Sequence, residues 1–310
     1  MTTASGGRSR SFSRGFWRLA DPKISLASFA GLWLGAAAAA REGPLAWGWL
    51  GLTVLGIFAL EVAKNASGEV FDLDSGTDLA ILPEDRSPFS GGKRVLVDGL
   101  LSRRQTWGIA LAGYFLTTLC GLLIVLYRDP GVLWIGMAGV ALAFFYHAPP
   151  FRLSYRGWGE LAVAIAYGPL VVTGTFLVQR GTVAPWLAGA SAALGLLVAG
   201  FLVLNEFPDR QADAGAGKRT LVVRLGPSRA TGLFLSLVLV AGTVTLLLPV
   251  SGAPRGIWAG LLALLPANQA VRRLAASGGV TARVIPAQAG ALVSFLTYAG
   301  AAGLGLLLVG

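Results

Sequence analysis

Long apolar runs, separated by short charged segments, dominate the chain. Nine stretches carry no Asp, Glu, Lys or Arg: 24–40, 43–60, 105–127, 130–151, 161–179, 181–205, 230–254, 256–271 and 284–310. A helix needs about 20 such residues to cross the hydrocarbon of a bilayer, and most of these runs reach that length. The first and eighth are short and need their flanking residues. The pattern predicts an all-α, polytopic transmembrane bundle of nine helices over residues 24–310, preceded by a cytoplasmic N-terminal tail over 1–23 whose first eighteen residues are disordered.

Composition supports the bilayer as solvent. Of 310 residues 55% are hydrophobic and 13% charged, about half the charged share of an ordinary soluble domain. Cys120 is the only cysteine and His147 the only histidine, which removes disulfide scaffolds, cysteine–histidine zinc sites and histidine triads. The net charge of +10 does not indicate nucleic acid, because the basic residues are scattered over short loops rather than gathered on one face. Arg8, Arg10, Arg14, Arg18 and Lys23 precede the first apolar run without a small-residue cleavage site behind them, so this segment reads as retained rather than as a signal peptide.

Charge does fix an orientation. With the N-terminus in the cytoplasm and nine crossings, 21 of the 25 basic residues fall on the cytoplasmic side, and only Arg41, Arg128, Arg180 and Arg255 face out. That is the asymmetry of a multi-pass protein of the cytoplasmic membrane. The acids collect on the same face. Glu69, Asp72, Asp74 and Asp78 follow the second run, and Glu206, Asp209 and Asp213 follow the sixth. Carboxylates concentrated at one end of a bundle imply a cation site or a proton path.

Asn205, Asp209 and Asp213 recur at i, i+4 and i+8 and share one helical face. Three oxygen-bearing side chains in a row suit Mg²⁺, which takes phosphate oxygens and water as its other ligands. Lys218 and Arg219 follow in a glycine-flanked loop within reach of the same anion. In the first cluster Asn65, Glu69 and Asp72 also share a face, while Asp74 and Asp78 run into the turn marked by Ser75-Gly76. Four like charges so close repel one another, and a divalent cation is the simplest compensation.

Two acidic motifs after the second and sixth of nine spans resemble the UbiA superfamily of intramembrane prenyltransferases. The run from Asp209 to Gly226, D-x-x-x-D-x-x-x-G-K-R-T-L-x-V-R-L-G, is similar to the branch acting on 1,4-dihydroxy-2-naphthoate in menaquinone synthesis. So are Tyr155-Arg156-Gly157-x-Gly159-Glu160-Leu161 with Gly168-Pro169, Asp72-x-x-x-Gly76-x-Asp78, and the segment from Pro88 to Gly92. The resemblance implies that both motifs hold Mg²⁺ and the diphosphate of an isoprenoid donor. The second motif maps cleanly onto Asp209 and Asp213. The first admits two registers, one through Asn65 and Glu69, the other through Asp72 and Asp78. The second register is taken here, with Asn65 assisting from an earlier turn.

The expected metal ligands, which are also the catalytic residues, are therefore Asp72, Asp78, Asp209 and Asp213. The expected substrate-binding residues are Lys64, Asn65, Tyr146, Tyr155, Arg156, Asn205, Lys218 and Arg219. Lys64 and Arg156 sit where a cytoplasmic rim would hold basic residues in any case, and His147 reads as an interfacial structural histidine. The expected reaction is Mg²⁺-dependent transfer of a prenyl group from an isoprenoid diphosphate to an aromatic acceptor in the bilayer, with no nucleic acid involved. Homogentisate, a chlorophyll-type acceptor or a glycerol lipid are alternative acceptors. A cation- or proton-coupled transporter is the alternative from another class, against which stands the absence of a visible internal repeat.

Overall fold

The computed structural model describes the backbone of residues 3–309 and the side chains of residues 11–21 and 25–309. Among these residues every regular element is helical. The α-helices are α1 Thr3–Ala20, α2 Pro22–Glu42, α3 Trp47–Ser75, α4 Thr77–Ala80, α5 Arg103–Tyr127, α6 Val132–Phe145, α7 Gly159–Ile165, α8 Val171–Arg180, α9 Pro185–Gly215, α10 Leu221–Leu247, α11 Leu264–Ala276 and α12 Thr281–Leu308. Backbone polar groups in hydrocarbon must be satisfied within the segment, so long apolar runs have no other regular choice.

Side chains and glycines set the helix ends. Ser102 opens α5 with a reciprocal cap, its Oγ accepting from Gln105 N at 3.2 Å while Gln105 Oε1 accepts from Ser102 N at 2.8 Å. Thr220 Oγ1 accepts from Val223 N at 3.3 Å and starts α10. Gly76 ends α3 at φ 80°, a left-handed conformation that suits glycine, and so turns the chain into α4.

The nine expected spans are reduced by length and composition. Among the described residues six segments are long and apolar enough to cross a membrane: α3, α5, the α7–α8 pair, α9, α10 and α12. The pair of Ser11–Ala20 with Ser25–Glu42 makes a seventh if counted as one bent span. The expected fourth span contains only the 14-residue α6. The eighth is divided between a 3₁₀ segment, Arg255–Ala263, and α11. The N-terminal segment expected as a disordered tail is helical over Thr3–Ala20, and Met1 and Thr2 lie outside the described residues. Its C-terminal half is tied down: Ser11 Oγ donates to Leu100 O at 2.9 Å, and Arg18 pairs with Asp98 at 2.8 Å.

Helix α9 is the axis of the bundle, the most buried of the long helices. Its neighbours approach through missing side chains. A β-carbon on Gly195 would overlap the Ala164 carbonyl, and one on Gly168 would overlap the Ser191 carbonyl. Small residues at such crossings let helix backbones meet. Between α7 and α8 the chain takes a π-helical turn, Ala166–Leu170, around Pro169, which has no N–H to donate.

Residues 76–102 fold back as a cap over the ends of α3 and α9. Ser87 Oγ accepts from Phe89 N and Ser90 N at 3.1 and 3.0 Å, closing a tight turn. Phe89 meets Phe201 of α9 edge-on, and Thr281 of α12 donates to Asp85 Oδ1 at 2.9 Å. The cap thereby seats the two acidic clusters in one enclosed space.

Candidate active site

Helices α3 and α9 end at the same face, and their last turns supply the acids. Helix α3 carries Asp72, whose Oδ1 accepts from the Tyr155 hydroxyl at 2.6 Å and whose Oδ2 lies 3.5 Å from His147 Nε2. Asp78 arrives on α4, 3% exposed, packed against Gly92 of the cap. Burial first, then the charges of Asp72 and Glu69, pushes its carboxyl up to about 8.

Helix α9 contributes Asn205, Asp209 and Asp213 on one face. Asp209 Oδ2 accepts from Gly91 N of the cap at 3.2 Å. Asp213 is 1% exposed, and its Oδ1 lies 3.3 Å from Lys218 Nζ as an ion pair without hydrogen-bond alignment. The charge of Asp72 reaches both Asp209 and Asp213, which places the two motifs in one electrostatic unit. Lys218 answers them: although burial disfavours its ammonium, Asp213 and Asp72 hold it well above the usual lysine range. Its Nζ also stands 5.7 Å from the Tyr155 ring centroid.

Mg²⁺ and a diphosphate fit this donor set. Oδ1 of Asn205, Asp209 and Asp213 are all buried without a hydrogen-bond partner. Such atoms are costly unless something else coordinates them. Among the described residues no three His, Cys, Asp or Glu side chains converge as a finished metal cage, so phosphate oxygens and water would have to complete the shell, as magnesium sites commonly use them.

Other expected residues are placed differently. Glu69 is 4% exposed and its Oε1 accepts from Leu96 N at 2.9 Å, so it holds the cap. Asn65 donates through Nδ2 to Leu19 O at 2.9 Å, so it holds α1. Asp74 is outside the site, forked onto Arg103 at 2.5 and 2.6 Å. Arg156 and Arg219 have exposed side chains. Their backbones are engaged: both carbonyls accept from Arg224, and Arg219 N donates to Tyr155 O at 2.9 Å. Lys64 is drawn in from the expected rim to the wall of a cavity, which Tyr146 also lines.

The structure adds His147 and Arg152. Burial pushes the His147 imidazole down to about 4 despite the pull of Asp72, so it is neutral at ordinary pH. It packs over Gly68, where a β-carbon would stand 2.6 Å from its Cε1. Arg152 stacks on Tyr155 with its guanidinium carbon 3.9 Å from the ring centroid. Beside these groups an apolar cavity of about 580 Å³ runs between α3, α5, α6 and the α7–α8 pair.

An all-helical membrane bundle with two acidic helix ends under a cap, opening beside an apolar cavity, defines a class of intramembrane enzyme working on an anionic head and an apolar tail. Residues 28–284 match the UbiA prenyltransferase family, and the chain belongs to it. A 1,4-dihydroxy-2-naphthoate octaprenyltransferase of Mycobacterium tuberculosis is 34% identical over 216 residues, covering 69% of this chain and 70% of that protein. Among solved structures, a UbiA homolog from Aeropyrum pernix K1 in its apo form superposes with a TM-score of 0.69 at 20% identity, over 92% of this chain and 98% of that one. A UbiA homolog from Archaeoglobus fulgidus bound to GPP and Mg²⁺ superposes with a TM-score of 0.60 at 16% identity, over 95% of this chain and all of that one. At these identities the two structures speak to the fold.

Proposed function

We propose that this chain transfers a prenyl group from an isoprenoid diphosphate to an aromatic quinone precursor, 1,4-dihydroxy-2-naphthoate or a close analogue, at the cytoplasmic face of the cell membrane. The observation that carries the reading is the set of buried Oδ1 atoms of Asn205, Asp209 and Asp213, none with a hydrogen-bond partner and only that of Asp213 in an ion pair, within the electrostatic reach of Asp72 and near the apolar cavity. The name of the mycobacterial relative supports the acceptor class. The basic asymmetry of the sequence supports the orientation.

Asp72, Asp78, Asp209 and Asp213, with Asn205, would hold Mg²⁺. When bound, the metal would neutralise the diphosphate and stabilise it as a leaving group. Lys218, held charged by the neighbouring Asp213, would bind the same anion. Tyr155 fixes the Asp72 carboxylate through one oxygen, and His147 Nε2 stands 3.5 Å from the other. Orientation of this kind is what keeps metal ligands in working geometry. The cavity takes the prenyl tail and keeps water from the allylic carbon while the C–O bond breaks, the diphosphate leaving with its electron pair. The acceptor ring attacks the allylic carbon, and the attacked ring carbon then sheds H⁺ or CO₂ to regain aromaticity.

The test is incubation of purified protein with labelled geranylgeranyl diphosphate and a panel of acceptors, with Mg²⁺ or with EDTA. Metal-dependent label transfer to the naphthoate supports the assignment. Transfer to none of the acceptors in the presence of Mg²⁺ rejects it.

A further inference from the structure

Helix α9 carries Pro208 one residue before Asp209. A proline has no N–H, so the carbonyl of Leu204, four residues earlier, loses its donor within the helix. A different helix supplies one. Gln288 of α12 is fully buried, and its Nε2 stands 3.4 Å from both Leu204 O and Ser90 Oγ of the cap. The two protons of the amide nitrogen serve one acceptor each. The residue after Ser90 is Gly91, whose N–H donates to Asp209 Oδ2 at 3.2 Å. Gln288 thus grips both the helix that carries Asp209 and the loop segment that bonds its carboxylate.

Packing does not require an amide at this joint. Phe89 of the cap, Phe201 of α9 and Phe295 of α12 already form a run of ring contacts, with centroids 5.8 and 5.6 Å apart. Phe295 is seven residues beyond Gln288 and so lies on the same face of α12. The amide is also incompletely satisfied, its Oε1 buried without a hydrogen-bond partner. An apolar side chain of the same length would avoid that cost. What the amide adds is direction, because it ties cap and helix together at one point.

We infer that Gln288 is a positioning residue for the second acidic motif. By joining Leu204 O to Ser90 it sets the approach of Gly91 N to Asp209 Oδ2, which leaves the unpartnered Oδ1 for the metal. The inference rests on the proposed function and deepens its metal-binding part. Gln288 touches neither metal nor substrate in this scheme. It acts on the geometry of a ligand, and partners that orient metal ligands commonly account for about 10–100-fold in metal affinity.

The test titrates Mg²⁺ into purified protein with geranyl diphosphate and no acceptor, reading the rise in melting temperature above that in EDTA. Gln288→Met keeps the length of the side chain and removes both donors. It should need about 10-fold more Mg²⁺ for the same rise, with the melting temperature in EDTA close to that of wild type. Pro208→Ala restores the N–H that Leu204 O lacks, so on that background Gln288→Met should cost less than about 3-fold. Ser90→Ala tests the other arm and should raise the Mg²⁺ requirement about 3-fold by itself. An unchanged Mg²⁺ requirement in Gln288→Met and Ser90→Ala overturns the inference and leaves the metal reading intact. So does a loss that is equally large on the Pro208→Ala background, or one seen only as a lower melting temperature in EDTA. Ser90→Ala decides alone if Gln288→Met does not fold. Wild-type protein whose melting temperature Mg²⁺ does not raise would reject the metal site itself, and the positioning role with it.

Discussion

The Tyr155 hydroxyl donates to Asp72 Oδ1 at 2.6 Å, linking a loop behind α6 to the last turns of α3 across 83 positions of sequence. Ser75 Oγ sits 2.7 Å from the same hydroxyl, and Arg152 covers the ring. Arg219 N closes the set by donating to the Tyr155 carbonyl. Both acidic motifs are thus braced on a single tyrosine, the first through its hydroxyl and the second through its backbone.

Tyr155→Phe removes the hydroxyl and leaves the packing. Partners that orient metal ligands commonly account for about 10–100-fold in affinity or activity. The variant should therefore need a higher Mg²⁺ concentration for half-maximal activity, with its melting temperature little changed. An unchanged Mg²⁺ dependence would show that Asp72 is positioned without Tyr155.

The two registers of the first motif separate by substitution. Glu69 is engaged with Leu96 N of the cap, while Asp72 faces His147, Tyr155 and the second motif. Asp72→Asn should lower activity by orders of magnitude, as should Asp209→Asn and Asp213→Asn, because leaving-group charge is then poorly stabilised. Glu69→Gln can still accept from Leu96 through its amide oxygen and should cost far less. An inactive Glu69→Gln beside an active Asp72→Asn would transfer the metal to the other register.

The sequence revealed these residues unevenly, for identifiable reasons. Asp209, Asp213 and Lys218 were legible because helical spacing alone puts the first two on one face and the third just beyond. Asn65 and Glu69 have equally good spacing, yet they hold α1 and the cap. Which partner folds back onto a helix face is a long-range fact that spacing does not encode. The contact of His147 with Asp72 was illegible for the same reason, since Asp72 lies 75 positions earlier and the ring packs over Gly68 of α3. Arg156 and Arg219 match the family pattern; their side chains are exposed, and the contacts of their backbones with Arg224 and Tyr155 join residues far apart in sequence, which spacing does not encode. The span count suffered because a charge-free run does not report where a helix breaks, as the 3₁₀ segment before α11 does.

Gly68 gives a steric test of the His147 support. A β-carbon there would stand 2.6 Å from Cε1 and 2.7 Å from Nδ1 of the imidazole. Gly68→Ala must push the ring away, and with it the contact to Asp72. Activity should fall about 10-fold or more, and the loss should be accompanied by weaker Mg²⁺ binding. Retained activity and Mg²⁺ affinity would mean that His147 does not support the ligand.

The shared face can be tested by labelling. On a background lacking Cys120, single cysteines at Glu84 in the cap and Ala214 at the end of α9 occupy exposed positions at the acidic end of the bundle, and Val183 is exposed at the other end. The first two should react with a membrane-impermeant maleimide only from the cytoplasmic side, and Val183→Cys only from outside. The reverse result would invert the orientation.

The proposed metal role of Asp78 predicts pH-dependent binding, and the sign follows from its environment. An ordinary aspartate loses its proton near about 4, whereas burial with the nearby Asp72 and Glu69 charges raises Asp78 to about 8. In the metal-free protein the folded state therefore holds this proton more tightly than the unfolded chain. The penalty for charging Asp78 is absent below about 4, grows with rising pH, and is complete above about 8. Stability of the metal-free protein from this group should fall across that window. Mg²⁺ must displace the proton to bind, so its affinity should rise with pH over the same range and level off above about 8. Thermal unfolding with EDTA and with Mg²⁺ at pH 6 and pH 9 checks both statements, the stabilisation by Mg²⁺ being larger at pH 9. Asp78→Asn should reduce the pH dependence of that stabilisation, the remaining acids of the site still contributing, and a variant that keeps the full wild-type slope would assign the proton to another acid.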